Sequence, residues 1–398
     1  MMNVFIKPSI VLPDFQNTEA AFAHQNNGQL KRSLRLFRMM NNPLLSRIGP
    51  PMVNLLLKTG LPVENIIRKT LFDIFVGGTS LDDCKKRIDS LFQSGVRTIL
   101  DYAVEGENNP AGYDITRDEI IRTVEAAAKQ EAVEFSALKV SGISNTEAMT
   151  KKQSGLSLST ADENFLKNGF NRLEAICKKA HELGQSVFVD AEESWFQDVI
   201  DLWAESLMKK YNQSKPIVYT TIQMYRHDRL AYLQKLVEQS QKEGWILGIK
   251  IVRGAYLEKE NERANRMGYP TPMQPDKKST DRDFNASMEV CVNHISNVAL
   301  CCGSHNEKSS MILAELMIKK GIDPGNRHVV FAQLLGMSDH ISFNLAKAGF
   351  NAAKYVPYGP VKSVIPYLIR RAAENSSISG QTSRELELLT EEAKRRKK

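Results

Sequence analysis

A group of polar side chains near the carboxyl end of the chain has the residue types and the spacing that carboxylate binding requires. Four residues stand at positions i, i+3, i+4 and i+7 and so project from one face of a helix: Tyr367, Arg370, Arg371 and Glu374. Adjacent arginines present planar guanidinium groups that hold a carboxylate through paired hydrogen bonds. The opposite face is apolar, so the alternative is that this stripe is only the solvated side of an amphipathic helix.

Two cations close together mark a second candidate segment. Lys250 and Arg253 lie three residues apart at the end of an apolar run, and Gly254 and Ala255 follow them. Small residues at this point would let a flat or phosphorylated ligand come close to the backbone. The simpler interpretation is the solvated end of a strand.

Two more apolar runs end in groups that could act on a ligand. Ser304, His305 and Asn306 offer a hydroxyl, an imidazole and an amide to a pyrophosphate or a ribose, although they could equally cap the next helix. Asp190 directly follows the apolar residues 187–189, and Lys139 ends the preceding run. An anion and a lysine at neighbouring strand ends indicate a catalytic role more often than a structural one.

These residues need a scaffold that gathers strand ends, and the chain shows one. Short β-branched or apolar runs alternate with helical patterns over most of its length. The eight runs are Arg97–Glu105, Val133–Gly142, Ser186–Glu193, Pro216–Tyr225, Ile246–Tyr256, Ala299–Asn306, His328–Met337 and Asn351–Gly359. Eight strand–helix units with nearly continuous apolar strands predict an α/β fold, a (β/α)8 TIM-type barrel, rather than a doubly wound sheet. In such a barrel the active site lies at the carboxyl ends of the strands.

Local signals predict where two of the helices begin and where one ends. Thr116 with Glu119 and Thr160 with Glu163 have the spacing of a capping box. Gly184 stands where a glycine would end the second of these helices.

We expect three segments along the chain. Residues 1–75 form a basic N-terminal helical arm, residues 76–380 the barrel, and residues 381–398 a charged tail that frays over residues 390–398. The arm interleaves basic and apolar residues at helical spacing, which favours a helix docked on the barrel over a helix on a membrane surface. Long insertions after strands 2 and 5, at 144–159 and 257–280, have the length typical of lids at a catalytic face.

The composition excludes several classes of protein. With 42% hydrophobic and 25% charged residues, the chain of 398 residues is neither disordered nor collagen-like. Its net charge of +7 allows an anionic ligand without requiring nucleic acid. The five cysteines show no Cys-x-x-Cys spacing and the histidines no i, i+4 pairing, so we expect neither a disulfide framework nor a metal site. Because no Gly-x-Gly occurs, a nucleotide cofactor would have to use the barrel loops.

The sequence also carries expectations about location. No apolar run approaches the roughly 18 residues that a membrane span needs. The apolar start of the chain lacks a basic n-region, so we expect no targeting peptide. Cysteines without pair spacing favour a reducing, cytoplasmic environment.

Taken in order, the strings at the strand ends resemble the proline dehydrogenase family. The strings are Leu138-Lys139, Asp190-Ala191-Glu192-Glu193, Gln223-Met224-Tyr225, Arg253-Gly254-Ala255-Tyr256, Ser304-His305-Asn306, Gln333-Leu334-Leu335-Gly336-Met337 and Tyr355 through Asn375. Ordered agreement of this kind is far more specific than any single motif. The resemblance, to the monofunctional and eukaryotic-like branch, implies a barrel that holds FAD without a covalent bond. It also implies oxidation of L-proline to Δ1-pyrroline-5-carboxylate by hydride transfer to flavin N5, with electrons passed on to a quinone.

The resemblance further implies roles for individual residues. Lys139, Arg370 and Arg371 would bind the substrate carboxylate, and Tyr355 and Tyr367 would line the pocket for the substrate ring. As catalytic residues, Asp190 would be the acid near the substrate amine and Lys250 would lie nearest flavin N5. The residues that would contact FAD are Ala191, Gln223, Lys250, Arg253, Gly254, Ala255, Ser304, His305, Asn306 and Gln333.

One departure and three alternatives accompany the resemblance. Many bacterial members carry arginine at the Lys250 position and lysine at the Arg253 position, and here the two are exchanged, as in eukaryotic-like members. The nearest alternative is a hydroxyproline dehydrogenase, whose pattern is similar but has a small residue at the Tyr355 position. A lyase that uses Lys139 or Lys250 as a Schiff base and a barrel that only binds an amino acid are the others. A quinone acceptor would imply peripheral contact with the inner face of a membrane, and no nucleic acid or metal is expected.

Overall fold

Eight parallel strands form a closed barrel in which each strand pairs with its neighbours in chain order and β8 pairs with β1. The computed structural model describes residues 11–41, 71–104, 109–361, 363–365, 367–368 and 381–397. The strands are β1 Val96–Tyr102, β2 Val133–Lys139, β3 Ser186–Asp190, β4 Val218–Gln223, β5 Leu247–Val252, β6 Val298–Gly303, β7 Val329–Leu334 and β8 Ala352–Tyr358. This arrangement confirms the predicted α/β barrel.

Helices surround the barrel and extend the chain at both of its ends. They are α1 Thr18–Phe22, α2 Asn27–Met40, α3 Asp73–Phe75, α4 Leu81–Gln93, α5 Pro110–Ala127, α6 Thr146–Gln153, α7 Thr160–Leu183, α8 Ser194–Tyr211, α9 Arg229–Glu243, α10 Leu257–Met267, α11 Lys277–Asn293, α12 Glu307–Lys319, α13 Asp339–Lys347 and α14 Gln381–Arg395. The insertions predicted as lids after strands 2 and 5 contain α6 and α10.

Aromatic rings fill the lower part of the barrel. Phe135 and Phe188 stack with their centroids 4.2 Å apart, and Tyr219 meets both rings edge-on. These side chains are almost completely buried together with Ile99 and Cys301. Because the interior is packed at this level, a ligand can enter only from the carboxyl ends of the strands.

Two of the predicted helix starts are wrong. Helix α5 begins at Pro110, with Asn109 accepting a hydrogen bond from the Gly112 N–H at 2.8 Å, so Thr116 lies within the helix. Helix α7 is capped by Ser159 and not by Thr160. In both cases a better cap stands earlier in the chain and satisfies the exposed N–H groups first. The predicted end is confirmed, since Gly184 follows α7 in the left-handed region with φ of 67°.

The arm docks on the C-terminal helix. Leu30 and Phe37 of α2 are buried in one apolar cluster with Leu388 and Leu389 of α14. The basic residues of α2 are exposed on its other side: Lys31, Arg32, Arg35 and Arg38. The tail expected to fray, residues 390–398, is helical as far as Arg395, and Glu392 within it is buried and ion-paired with Arg396. The expectation is therefore wrong for residues 390–395.

Within the described ranges, no helix combines the length and the apolar character that crossing a bilayer requires. In the same ranges, histidine, cysteine and acidic side chains form no group of three that could hold a metal ion.

Candidate active site

The carboxylate of Asp190 lies at the centre of the barrel mouth and binds three side chains from three other strands. One oxygen forms an ion pair with Lys250 Nζ. The other accepts a hydrogen bond from the Tyr355 hydroxyl at 2.6 Å and lies 3.4 Å from Lys139 Nζ. The parallel register places Lys139 directly beside Asp190. The structure thus brings together four of the residues predicted from the sequence.

Charge and burial determine the protonation of this group. Burial would raise the pKa of Asp190, but Lys250, Lys139 and the Tyr355 hydroxyl outweigh it and lower that pKa below the usual value. Burial raises the pKa of Tyr355 well above its ordinary value, so the phenol stays protonated as a donor. Lys250 Nζ also lies 4.7 Å from the Phe188 ring centroid and 5.0 Å from that of Tyr355. The centre is a fixed carboxylate between two ammonium groups.

The end of β5 carries a rigidly held arginine. Arg253 Nε donates to Asp281 Oδ1 at 2.6 Å, and its two Nη atoms donate to Ser304 Oγ and Ser309 Oγ at 2.9 Å each. The guanidinium lies 4.3 Å from the Phe284 ring centroid. Of its five N–H donors, two make no hydrogen bond to any described residue. A fixed cation with donors to spare at a strand end suits a phosphate group.

Gly254 follows this arginine in a backbone conformation that other residues rarely adopt. Its φ is 134°, and a Cβ at this position would lie 2.5 Å from atoms of the Tyr225 ring. The backbone therefore passes directly over the ring, and the next residue, Ala255, is exposed at the mouth.

We expect Gly254→Ala to lower the free energy of unfolding by about 1–3 kcal/mol, because the new methyl adds a ring clash to backbone strain. The matched control is Gly155→Ala. Gly155 also has a positive φ of 68°, but nothing lies within 4 Å of a Cβ there. Urea unfolding of both variants measures the difference. Equal losses of stability would show that the Tyr225 contact contributes nothing.

Gln223 and Gln333, predicted to contact a cofactor, connect strand ends to each other. Gln223 Nε2 donates to the Glu192 carbonyl at 2.7 Å, and its Oε1 accepts from the Ala255 N–H at 3.4 Å. Gln333 Nε2 donates to the Ser304 carbonyl at 3.0 Å, and its Oε1 accepts from Ser342 Oγ at 2.7 Å. Both amides hold the loops of other predicted site residues in place.

The remaining predicted residues occupy the same rim. Ser304 Oγ binds Arg253 and accepts from the Asn306 N–H at 3.1 Å, and Asn306 caps α12, as its simpler interpretation proposed. His305 and Ala191 are partly buried beside them, and Tyr367 is buried after β8. Arg370 and Arg371 lie outside the described residues.

Sequence reasoning assigned no role to two buried carboxylates at this mouth. Asp101 of β1 is 2% exposed and lies two residues after Ile99, so it faces the barrel interior. Its charge contributes to the raised pKa of Tyr355. Glu192 accepts hydrogen bonds from Ser141 N, at 2.9 Å, and from Ser141 Oγ. The alternation of inward and outward side chains along β1 could have identified Asp101, whereas Glu192 stands in the quoted string after β3 but its burial is not visible in the sequence.

Glu192 gives the fold a testable dependence on pH. Burial, followed by the charge of Glu193, raises the pKa of Glu192 from 4.5 to about 7. The folded state therefore binds an extra proton between these values, and stability falls as the pH rises through that window. Relative to Glu192→Gln, the wild type should lose about 2–3 kcal/mol of unfolding free energy between pH 5 and pH 8.

Urea unfolding of both proteins at the two pH values measures this difference. Glu238→Gln, at an exposed position on α9, should show the same change in unfolding free energy between the two pH values as the wild type. If Glu192→Gln also shows the wild-type change, Glu192 does not titrate in this range.

Comparison with known proteins gives these contacts a context. The chain matches the family described as "Proline dehydrogenase" over residues 84–384. The chain belongs to this family. The matched range contains all eight strands of the barrel and every residue predicted to line the site, and it ends within α14.

Two curated relatives match nearly the whole chain. "Proline dehydrogenase 1, mitochondrial" of Dictyostelium discoideum is 32% identical over 426 residues, covering 96% of this chain and 74% of that protein. "Hydroxyproline dehydrogenase" of Xenopus laevis is 30% identical over 413 residues, covering 94% and 88%.

A solved structure shares the fold. Proline utilization A (PutA) from Bdellovibrio bacteriovorus, inactivated by N-propargylglycine, superposes with a TM-score of 0.72 at 17% sequence identity. The match covers 93% of this chain but 40% of the PutA chain. A barrel of this fold thus also occurs as part of a much longer protein.

Proposed function

We propose that this protein is a flavin-dependent proline dehydrogenase that oxidises L-proline to Δ1-pyrroline-5-carboxylate. The observation that carries the proposal is the Asp190 carboxylate held between Lys139, Lys250 and Tyr355, at the mouth of a barrel that belongs to the proline dehydrogenase family. This centre provides fixed charges for a small zwitterion.

The finer proposal is that the cofactor is FAD, bound without a covalent link. The residues at the ends of β5 and β6 fit such a group. Arg253 is rigid and has N–H donors to spare, Gly254 lets the backbone come close to a ligand, and Ala255 is exposed at the rim. When bound, FAD would accept a hydride from the substrate carbon next to the nitrogen. We place Lys250, His305 and the other predicted contact residues around it.

The residues of the chain would prepare the substrate for this step. Hydride can leave the carbon next to nitrogen only if the amine is neutral. The ammonium groups of Lys139 and Lys250 repel a positive charge placed beside them and so favour loss of the ammonium proton. The lowered pKa of Asp190 makes it a poor site for that proton. We therefore assign Asp190 to orienting the two lysines and Tyr355, and the proton to solvent.

Binding of the substrate carboxylate is assigned to Lys139 together with Arg370 and Arg371. Lys139 Nζ is held by Asp190 at the mouth. The resemblance of the sequence supports the two arginines, since adjacent guanidinium groups on one helix face can grip a carboxylate.

The acceptor and the cellular location complete the proposal. We propose that a quinone takes the electrons and that the protein is cytoplasmic with peripheral contact to the inner face of a membrane. The resemblance to the family supports the quinone. The exposed basic side of α2 is compatible with an anionic lipid surface.

The absorption spectrum tests the proposal most directly. The purified protein should be yellow, denaturation should release FAD, and anaerobic L-proline should bleach the visible flavin absorption. Flavin that stays on the denatured chain, FMN in place of FAD, or a spectrum that proline leaves unchanged would contradict the proposal.

A second candidate function is the oxidation of hydroxyproline. The 30% identity to the Xenopus laevis protein named "Hydroxyproline dehydrogenase" favours it. Tyr355 distinguishes between the two substrates, as argued in the Discussion.

A further inference from the structure

Ser338, at the start of α13, has an unusual backbone conformation. Its φ is 52°, and among the described residues no other residue except glycine has a positive φ. This conformation is costly for a residue with a Cβ and persists only where several contacts enforce it. Ser338 is also completely buried.

Contacts from two different elements hold Ser338. Its N–H donates to Glu385 Oε2 of helix α14 at 3.1 Å. Its hydroxyl is hydrogen-bonded to His305 Nδ1, just after β6, at 3.0 Å. One residue therefore connects a helix outside the barrel to a histidine on its catalytic rim.

The two residues that follow strengthen this connection. Asp339 forms an ion pair with the fully buried Lys354 of β8 at 2.8 Å and accepts a hydrogen bond from Gln25 of the arm at 3.1 Å. His340 Nε2 lies 3.0 Å from Glu307 Oε1 at the start of α12. The segment 338–340 is thus fixed to strand β8, to the residues that follow β6 and to both outer segments of the chain.

We propose that Ser338 is a positioning residue for His305, and that Glu385 of α14 holds Ser338 in the conformation this requires. The inference rests on the proposed function, which places His305 against FAD. A hydrogen bond at one ring nitrogen of a histidine fixes the rotation of the ring and biases which nitrogen carries the proton. Ser338 fixes the rotation of the His305 ring through its contact with Nδ1.

This arrangement couples the outside of the barrel to the cofactor site. Glu385 is 4% exposed and belongs to a helix that packs on α2. If its carboxylate is removed, the Ser338 N–H loses this acceptor, and one of the contacts that hold the strained backbone is lost. Affinity for FAD therefore depends on a residue that does not face the barrel mouth.

The first test removes the hydroxyl without adding strain. Ser338→Gly keeps the positive φ, since glycine adopts it readily, but loses the bond to His305. We expect the Kd of FAD for the apoprotein, measured by quenching of flavin fluorescence, to rise about 3- to 10-fold. The 15N chemical shifts of the His305 ring should show a changed tautomer balance. KM for L-proline should stay within twofold of the wild type, since Ser338 does not face the substrate centre.

The matched control is Ser310→Ala on the neighbouring helix α12. Ser310 is fully buried, and its hydroxyl has no hydrogen-bond partner among the described residues, so this variant should keep the wild-type Kd. If Ser338→Gly does not fold, Ser338→Asn replaces it, because asparagine tolerates the left-handed region. A Kd within twofold of wild type in the folded variant overturns the proposal.

The second test acts from the outer helix. Glu385→Ala should raise the Kd of FAD about 2- to 5-fold. Glu387→Ala, at an exposed position on the same helix, should leave it unchanged. If both variants change the Kd equally, the effect is a general one of α14 and the role of Glu385 is refuted. A wild-type protein without affinity for FAD would refute the proposed function itself, whereas tight wild-type binding with unchanged variants refutes only this inference.

Discussion

Lys250→Met should lower kcat/KM for L-proline by about 100- to 1,000-fold, the range expected when a preorganised charge is removed from a buried site. Lys250 is 5% exposed and forms an ion pair with Asp190. Methionine has a similar length but no charge. Without Lys250, the burial of Asp190 is opposed by Lys139 and Tyr355 alone, so the pKa of Asp190 rises. The positive charge that favours a neutral substrate amine is also reduced.

Steady-state kinetics and the flavin content of the purified variant check this result. Lys250→Arg is the control, because it keeps the charge and restores the residue that many bacterial members carry. It should retain activity within about tenfold of the wild type. A Lys250→Met variant with normal flavin content and a kcat/KM within threefold of wild type would remove Lys250 from the catalytic centre.

The wild-type protein should prefer L-proline to trans-4-hydroxy-L-proline by about 5- to 150-fold in kcat/KM. Tyr355 is buried, and its hydroxyl donates a hydrogen bond to Asp190 at 2.6 Å. This bond fixes the ring at the barrel mouth. The fixed ring would occupy the space that a 4-hydroxyl needs and would offer it an apolar surface. A hydroxyl that loses its hydrogen bonds to water and finds no partner costs about 1–3 kcal/mol.

Two substitutions separate the ring from its hydroxyl. Tyr355→Ser opens the space and should shrink the preference, whereas Tyr355→Phe keeps the ring and should preserve most of it. Parallel kinetics with both substrates measure the ratio for each variant. Equal or better turnover of hydroxyproline by the wild type would replace the proposed substrate with the second candidate.

Strand positions could be predicted because buried parallel strands leave a continuous apolar run. Every strand begins within two residues of its predicted start, including Pro216 against the observed Val218. The predicted runs extend past the observed ends of the strands. The run Ser186–Glu193, for example, continues three residues beyond strand β3, which ends at Asp190. Strand pairing stops there because the neighbouring strand turns away, and no local sequence pattern indicates that turn.

The contacts of the candidate site depend on positions far apart in the chain. The bond between Tyr355 and Asp190 joins residues 165 positions apart, and the Glu192 contact with Ser141 joins β3 to β2 over 51 positions. Residue types at strand ends could identify Asp190 and Lys250 because a barrel gathers all such ends. Which of these side chains contact each other depends on tertiary packing, which a single sequence does not display. The same holds for the burial of two leucines of α14 within a charged segment.

The docking of α2 on α14 has a consequence for biosynthesis. Leu30 and Phe37 leave the ribosome long before Leu388 and Leu389, which cover them. At 5–20 residues per second, the apolar side of α2 stays uncovered for roughly 20–70 seconds. During this interval the nascent chain exposes an apolar surface beside its basic residues.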